Sequence, residues 1–308
     1  MDNPTKKEII NFYKKGNSIR QISGLIGQKF KREAIRECLK TSKIMMRGRG
    51  IVYKNYKTLN AKENALLSEL LGYFYGDGSL HKYKDPSHGI YDCNLTFSLN
   101  ENDLVERVIY ITKQLFGFVP KVIKKKNSFY LIKFRRSFAK YLKETGYPAG
   151  KKSEINPHFP MKILKNDLMK QHFICGFLNA ESTVNKTISV QQSVRIKLPE
   201  EIINTLKQGR KSYQMGKTEC YFIKWSEVKG ILDSGIPISN ALNDLNELLS
   251  YFKINSKIYP VRLYIGKKNK AGVHYELQVL HGFIKKIKDF NMLSCTKKVE
   301  KLNNLLRE

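Results

Sequence analysis

Acidic side chains are scarce in this 308-residue chain: Asp and Glu total 27 against 56 Lys and Arg, a formal net charge of +29. The excess runs along the whole length and is too large for an ordinary soluble enzyme. It calls for a polyanionic partner, of which nucleic acid is the commonest. An anionic membrane surface is the rival, but no segment reads as a basic amphipathic helix. Long apolar runs are absent, so no transmembrane span is expected. The stretch from Asp2 through Glu8 is polar and charged, without a signal-peptide pattern. Cysteine is sparse: Cys38, Cys93, Cys175, Cys220 and Cys295 are odd in number, far apart and free of any C-x-x-C. That spacing argues against a disulfide framework and a zinc site. It fits an intracellular, reducing compartment, such as a prokaryotic cytoplasm or an organelle, rather than secretion. The six histidines are scattered and read as surface or core residues.

What is present is a globular composition, 41% hydrophobic, long enough for two or three domains. Residues 5–42 show helical periodicity in three short pieces. Ile9, Ile10 and Tyr13 mark the first, Ile19, Ile22, Leu25 and Ile26 the second, and Ala34, Ile35 and Leu39 the third. Gly16-Asn17-Ser18 separates the first two, and Gly27 breaks the second from the third. Three short helices with an apolar interior resemble a helix-turn-helix, and residues 13–22 are similar to resolvase-type and transposase-type modules. The third piece would be the recognition helix, presenting Lys29, Lys31, Arg32 and Arg36 to DNA. A small helical bundle with an ordinary charged face is the alternative. A basic linker follows, with Arg47 and Arg49 able to track a phosphate backbone.

An internal repeat carries most of the information. Leu70-Leu71-Gly72-Tyr73-Phe74-Tyr75-Gly76-Asp77-Gly78 is matched by Ile174-Cys175-Gly176-Phe177-Leu178-Asn179-Ala180-Glu181-Ser182. Each copy sets small residues four apart, Gly72 with Gly76 and Gly176 with Ala180, then places a carboxylate directly after the second. Residues i and i+4 share a helix face, so two such helices could pack with backbones nearly touching. Asp77 and Glu181 would then emerge side by side at two helix C-termini, where like charge and the helix dipole both disfavour them. Divalent cations shared between the carboxylates would resolve the conflict, and hard oxygen ligands suit Mg²⁺. Two core helices that end in an acid by chance are the bland reading.

The downstream segments repeat too. After Asp77 come strand-like residues 95–99, a helix at 103–116, strands at 121–123 and 129–134, and a helix at 138–144. After Glu181 come strands at 188–190 and 194–198, a helix at 241–252, strands at 257–264 and 274–280, and a helix at 283–290. The second copy is longer, with an insertion near 199–237 that holds a possible helix at 200–207 and strand at 220–225, neither of which could be paired. Both copies close on a basic pair, Lys151-Lys152 and Lys297-Lys298.

The two nonapeptides resemble the LAGLIDADG motif of homing endonucleases, and the downstream pattern resembles that family's αββαββα unit, over about residues 60–305. The resemblance implies an α+β fold of two pseudo-symmetric LAGLIDADG units packed on their motif helices, plus the small all-α helix-turn-helix domain. The expected domains are 1–46 helix-turn-helix, 47–60 basic linker, 61–160 first unit and 161–308 second unit. It also implies a monomer that cuts a long asymmetric double-stranded DNA site by metal-assisted phosphodiester hydrolysis, leaving short 3′ overhangs. Asp77 and Glu181 would be catalytic. With the backbone carbonyls of Gly76 and Ala180 they would hold two or three Mg²⁺ ions. The family's pocket also uses less regular basic or polar groups, for which Lys133 and Gln278 on the late strands are the candidates by position, or else they are sheet residues facing DNA or solvent. The second copy departs from the motif at Asn179, where an acid is usual, and at Ser182, where a glycine is usual. No intein signature is expected, since the chain opens Met1-Asp2 and closes Leu306-Arg307-Glu308. Intron-encoded or free-standing enzymes fit better. Two rivals share the fold: a maturase binding intron RNA, and a regulator that has lost the chemistry. Retained acids in both copies favour cutting.

Overall fold

A computed structural model describes residues 6–14, 17, 19–26, 32–42, 58–82, 91–125, 128–215, 218–228, 236–266 and 270–307. The chain divides into two compact units, Met1–Val52 and Tyr53–Glu308. In the first, helices α1 (Lys6–Lys14), α2 (Ile19–Leu25) and α3 (Arg32–Thr41) close around buried Ile9, Tyr13, Ile22, Ile35 and Leu39. The backbone N–H and the side-chain amide of Asn17 both donate to the Phe12 carbonyl and end α1. Arg32 is exposed on α3, and Arg36 lies 3.4 Å from Glu33 on the same helix, an exposed pair of little energetic weight. Lys29, Lys31, Arg47, Arg49 and residues 47–57 of the basic linker lie outside the described residues.

The second unit is a mixed α+β structure with two antiparallel sheets. Its first half runs α4 (Ala61–Asp77), β1 (Gly78–Lys82), β2 (Tyr91–Ser98), α5 (Asn102–Phe116), β3 (Lys121–Lys124), β4 (Phe129–Lys133) and α6 (Arg136–Glu144). A connecting strap contains the short helix α7 (Lys152–Ile155). The second half begins with α8 (Asp167–Glu181), β5 (Ser182–Val184) and β6 (Ile188–Ile196), then enters the insertion, α9 (Glu200–Lys207), β7 (Tyr213–Met215) and β8 (Thr218–Lys224). It resumes with α10 (Asn240–Tyr251), β9 (Ser256–Ile265), β10 (Ala271–Val279), α11 (Ile284–Asp289) and α12 (Thr296–Leu305).

The first sheet has the order β1-β2-β4-β3, and the second contains β5-β6-β10-β9, the same order. Insertion strands β8 and β7 extend the second sheet beyond β9, through pairs such as Phe222↔Tyr264 and Lys224↔Arg262. The anticipated strands at 188–190 and 194–198 are one continuous strand. Polar residues Gln191, Gln192 and Ser193 interrupt the apolar run, but the alternation of faces continues through them, with Val190 and Val194 buried and Gln191 exposed. A bulge at His274/Tyr275 falls opposite Arg262 and Pro260, where proline has no N–H for the ladder.

Helix α4 opens with a reciprocal capping box: the Asn60 side chain accepts from the Glu63 N–H, and the Glu63 carboxylate accepts from the Asn60 N–H. Every residue from Ala65 to Gly76 is buried. A helix buried on every side must be covered on every side, its Ser68 and Glu69 included. One side of α4 meets α8, and β1, β2 and α5 also pack on it. Among the described residues no helix is long and apolar enough to cross a membrane.

Candidate active site

Two helices end at this site, and glycine brings them together. A Cβ on Gly72 would stand 2.3 Å from the Phe173 carbonyl oxygen, and one on Gly76 would stand 2.4 Å from the Ala180 Cβ. The small-residue stripe therefore produces backbone contact between α4 and α8, as its spacing anticipates. The same approach delivers Asp77, the last residue of α4, and Glu181, the last of α8, to one place. The Gly76 Cβ position lies 3.0 Å from Glu181 Cγ.

The electrostatics follow from that juxtaposition. Burial, then the charge of Glu181, push the Asp77 carboxyl up to about 8. Burial likewise raises Glu181, against the opposing pull of Lys152, a hydrogen bond from Gln192 and the charge of Lys298. Both acids thus hold protons more tightly than free carboxylates do.

Two lysines answer the charge. The Lys152 ammonium on α7 donates to the Tyr75 carbonyl at 2.9 Å and to the Gly76 carbonyl, at the C-terminal end of α4. The Lys298 ammonium on α12 donates to the carbonyls of Leu178 at 3.2 Å and Asn179 at 2.5 Å, at the end of α8. Each lysine occupies the negative end of a helix dipole beside a half-buried carboxylate. Burial lowers both lysines, while Asp77 and Glu181 pull them back up, with Glu101 and Cys295 adding to the pull on Lys298. Lys152 and Lys298 each act on both acids. Lys133 is half-buried on β4, paired with Asn94 of β2 and Lys121 of β3. Gln278 faces outward on β10, donating to Glu276 at 2.8 Å. The sequence signal for the lysines was the basic pair closing each copy.

The two motif departures have local reasons. A Cβ on Gly78 would stand 2.4 Å from the Phe74 carbonyl oxygen and 2.5 Å from the Phe74 ring. At the matching place Ser182 has room, and its hydroxyl donates to the Leu178 carbonyl at 2.6 Å. Asn179 is fully buried and hydrogen-bonded to the start of α12.

The donor set is two carboxylates plus main-chain carbonyls at helix ends, all hard oxygens. Two half-buried acids, both shifted toward holding their protons, are groups whose charge a divalent cation would compensate. Among the described residues no cluster of three or more His, Cys, Asp or Glu side chains could hold a metal. A cation here would therefore complete its coordination with carbonyls, water and phosphate, as Mg²⁺ commonly does.

Outward residues of the second sheet form a further surface of mixed character. Arg195, Phe222, Arg262, Tyr264 and His274 line a cavity of about 490 Å³. Arg262 lies 5.1 Å from the Phe222 ring centroid. Burial and the charge of Arg262 lower His274 to about 4, so its imidazole is neutral at pH 7.

No protein-family model matches the chain, and no curated protein sequence matches it. Among solved structures, that of I-DmoI in complex with DNA and Ca is similar at 15% identity and a TM-score of 0.42, covering 79% of this chain and 98% of that one. The homing endonuclease I-WcaI bound to its DNA recognition sequence is similar at 11% identity and a TM-score of 0.39, covering 80% and 90%. Full-length DUF199/WhiA from Thermatoga maritima is similar at 11% identity and a TM-score of 0.38, covering 82% of this chain and 63% of that one.

Proposed function

We propose that this chain is a site-specific, divalent-metal-dependent DNA endonuclease of the LAGLIDADG homing-endonuclease type. In this reading its two halves are pseudo-symmetric αββαββα units, and α1–α3 form a helix-turn-helix that adds DNA contacts. The observation that carries it is the pairing of Asp77 and Glu181 at the ends of two helices in backbone contact, each end capped by a lysine. Stability alone does not favour burying two like charges at two negative dipole ends. Such an arrangement persists when the charges serve chemistry.

Asp77 and Glu181, with the Ala180 carbonyl and the Gly76 carbonyl that Lys152 also contacts, are the residues that would hold Mg²⁺. When bound, such an ion supplies Lewis-acid activation for hydrolysis of a phosphodiester. The chain's own groups do the rest. The carboxylates accept and release protons according to whether a cation faces them. Lys152 and Lys298 bring N–H donors to the ends of α4 and α8, beside the acids, where they could meet a phosphate oxygen. The outward sheet faces, with Arg195, Arg262, Lys133 and Gln278, offer donors to base edges, and the overall charge of +29 supplies attraction to the backbone.

The test uses a plasmid carrying the DNA that flanks this gene, incubated with the full chain and Mg²⁺. Linear product that is lost in EDTA, and lost in both Asp77→Asn and Glu181→Gln while DNA binding in Ca²⁺ persists, supports the reading. Cutting that survives in either acid variant overturns it.

A further inference from the structure

The residue two positions before each acid differs between the halves: Tyr75 on α4 and Asn179 on α8. Both touch the segment that carries a lysine to the site. On α4, the Tyr75 ring packs edge-on against Tyr147 with centroids 5.1 Å apart. The single Tyr147 hydroxyl proton is shared between the carbonyls of Phe74 at 2.8 Å and Gly78 at 3.0 Å, which seats the strap leading to Lys152.

On α8 the contact is polar. The Asn179 side-chain amide donates to the Cys175 carbonyl at 2.7 Å and the Ser294 hydroxyl at 3.0 Å. Its carbonyl oxygen accepts from the backbone N–H of Ser294 at 3.0 Å and of Cys295 at 2.8 Å. Four bonds use the whole capacity of one carboxamide. Cys295 is the N-cap of α12 and gives that helix no side-chain cap bond. Three residues on, the buried Lys298 ammonium reaches the Leu178 and Asn179 carbonyls.

We infer that Asn179 is the positioning residue for Lys298. It ties the backbone at 294–295 to α8, and so fixes where α12 starts and where its lysine reaches. A lysine side chain is long and flexible, so its ammonium is placed only when its backbone is placed. Asn179 is therefore not a lost acid but the second half's counterpart of the Tyr75–Tyr147 clamp. The inference rests on the reading of Lys298 as part of the active site. Its direct test does not.

In that test, the full chain is treated with a small amine-acylating ester, and modification of Lys298 is followed by mass spectrometry. Wild type and Asn179→Asp, which keeps the acceptor for both N–H groups, should protect Lys298. Asn179→Leu, and the smaller Asn179→Ala, should leave folded protein in which Lys298 reacts faster. Thermal melting establishes which of the variants are folded. Single-turnover cutting of plasmid DNA selected by the wild type should slow by about ten- to hundredfold in Asn179→Leu or Asn179→Ala, the usual cost of losing an outer partner of a site residue. Affinity for that DNA in Ca²⁺ should stay close to wild type. Placing the same change in a Lys298→Met background should slow cutting no further. Protection of Lys298 in a folded Leu or Ala variant, or its loss in folded Asn179→Asp, overturns the inference. If Lys298→Met cuts at the wild-type rate, the catalytic reading of Lys298 fails, and amine reactivity alone still decides whether Asn179 places it.

Discussion

A Cβ on Gly176 would lie 2.1 Å from the carbonyl oxygen of Glu69, a backbone atom of the opposing helix. No rotamer change relieves such a clash, so the two helices would have to separate. Gly176→Ala should therefore destabilise the protein by about 3 kcal/mol or more. Gly282→Ala, where a Cβ meets nothing within 4 Å, should stay within about 0.5 kcal/mol of wild type. Urea midpoints compare the two, and equal midpoints would show that α4 and α8 are not in backbone contact.

Asp77 makes the metal-free protein sensitive to alkali. Its carboxyl rises from 3.8 to about 8 on folding, because of burial and then Glu181. A raised folded value means stability that is complete below the unfolded value and is lost as pH climbs through the folded one. Without metal, melting temperature should fall between about pH 4 and pH 8. Asp77→Asn should flatten that slope, and saturating Mg²⁺ should raise stability most on the alkaline side, where the carboxylate is free to bind. A melting temperature in EDTA that rises to pH 8, with Asp77→Asn following the same curve, would count against the close acid pair.

Glu69 shows the opposite sign. Burial alone would push its carboxyl up, but bidentate hydrogen bonds from Arg107 at 2.8 and 2.7 Å, and one from His172 at 3.1 Å, hold it below 4.5. That stability is present above the unfolded value and is lost as pH falls through the folded one. Glu69→Gln leaves Arg107 without its counter-charge and should cost about 3 kcal/mol at pH 7. The difference from wild type should shrink below about pH 4. Chemical denaturation at pH 7 and pH 3.5 measures both.

Removing the first compact unit, residues 1–52, should weaken DNA binding and reduce its salt dependence while residual cutting remains. The reason is that α1–α3 carry basic groups but neither motif acid. An unchanged slope of log affinity against log salt would show that this unit does not touch the bound DNA.

A single chain should bind a single duplex, at a site whose halves are unrelated in sequence. Two-fold symmetric proteins read two-fold symmetric sites. Here one chain supplies both acids, and among the described residues one sheet has four strands where the other has six. Light scattering of the complex, with a mutational scan of the cut site, examines this. Two chains per duplex, or a palindromic requirement, would show that Asp77 and Glu181 do not form one site.

The site was legible in part because its first layer is local. Small residues four apart followed by an acid encode a helix face and its end, and the repetition of that pattern at 174–182 pointed to a partner helix. Helix periodicity likewise marked α5 and α10, and the insertion's α9 fell at 200–207 as read from the chain. What tertiary structure decided lies at long sequence separation. Lys152 meets the Gly76 carbonyl and Lys298 meets that of Asn179 across 76 and 119 positions, and no local period records such a meeting. Strand β8 could not be paired from sequence, because apolar alternation makes a strand without naming its neighbour. The free edge of β9 determined that. Asn179 reads as a missing acid along the chain and becomes a clamp only once Ser294 and Cys295 are folded against it, because a carboxamide's role is set by the donors and acceptors brought to its four bonding positions.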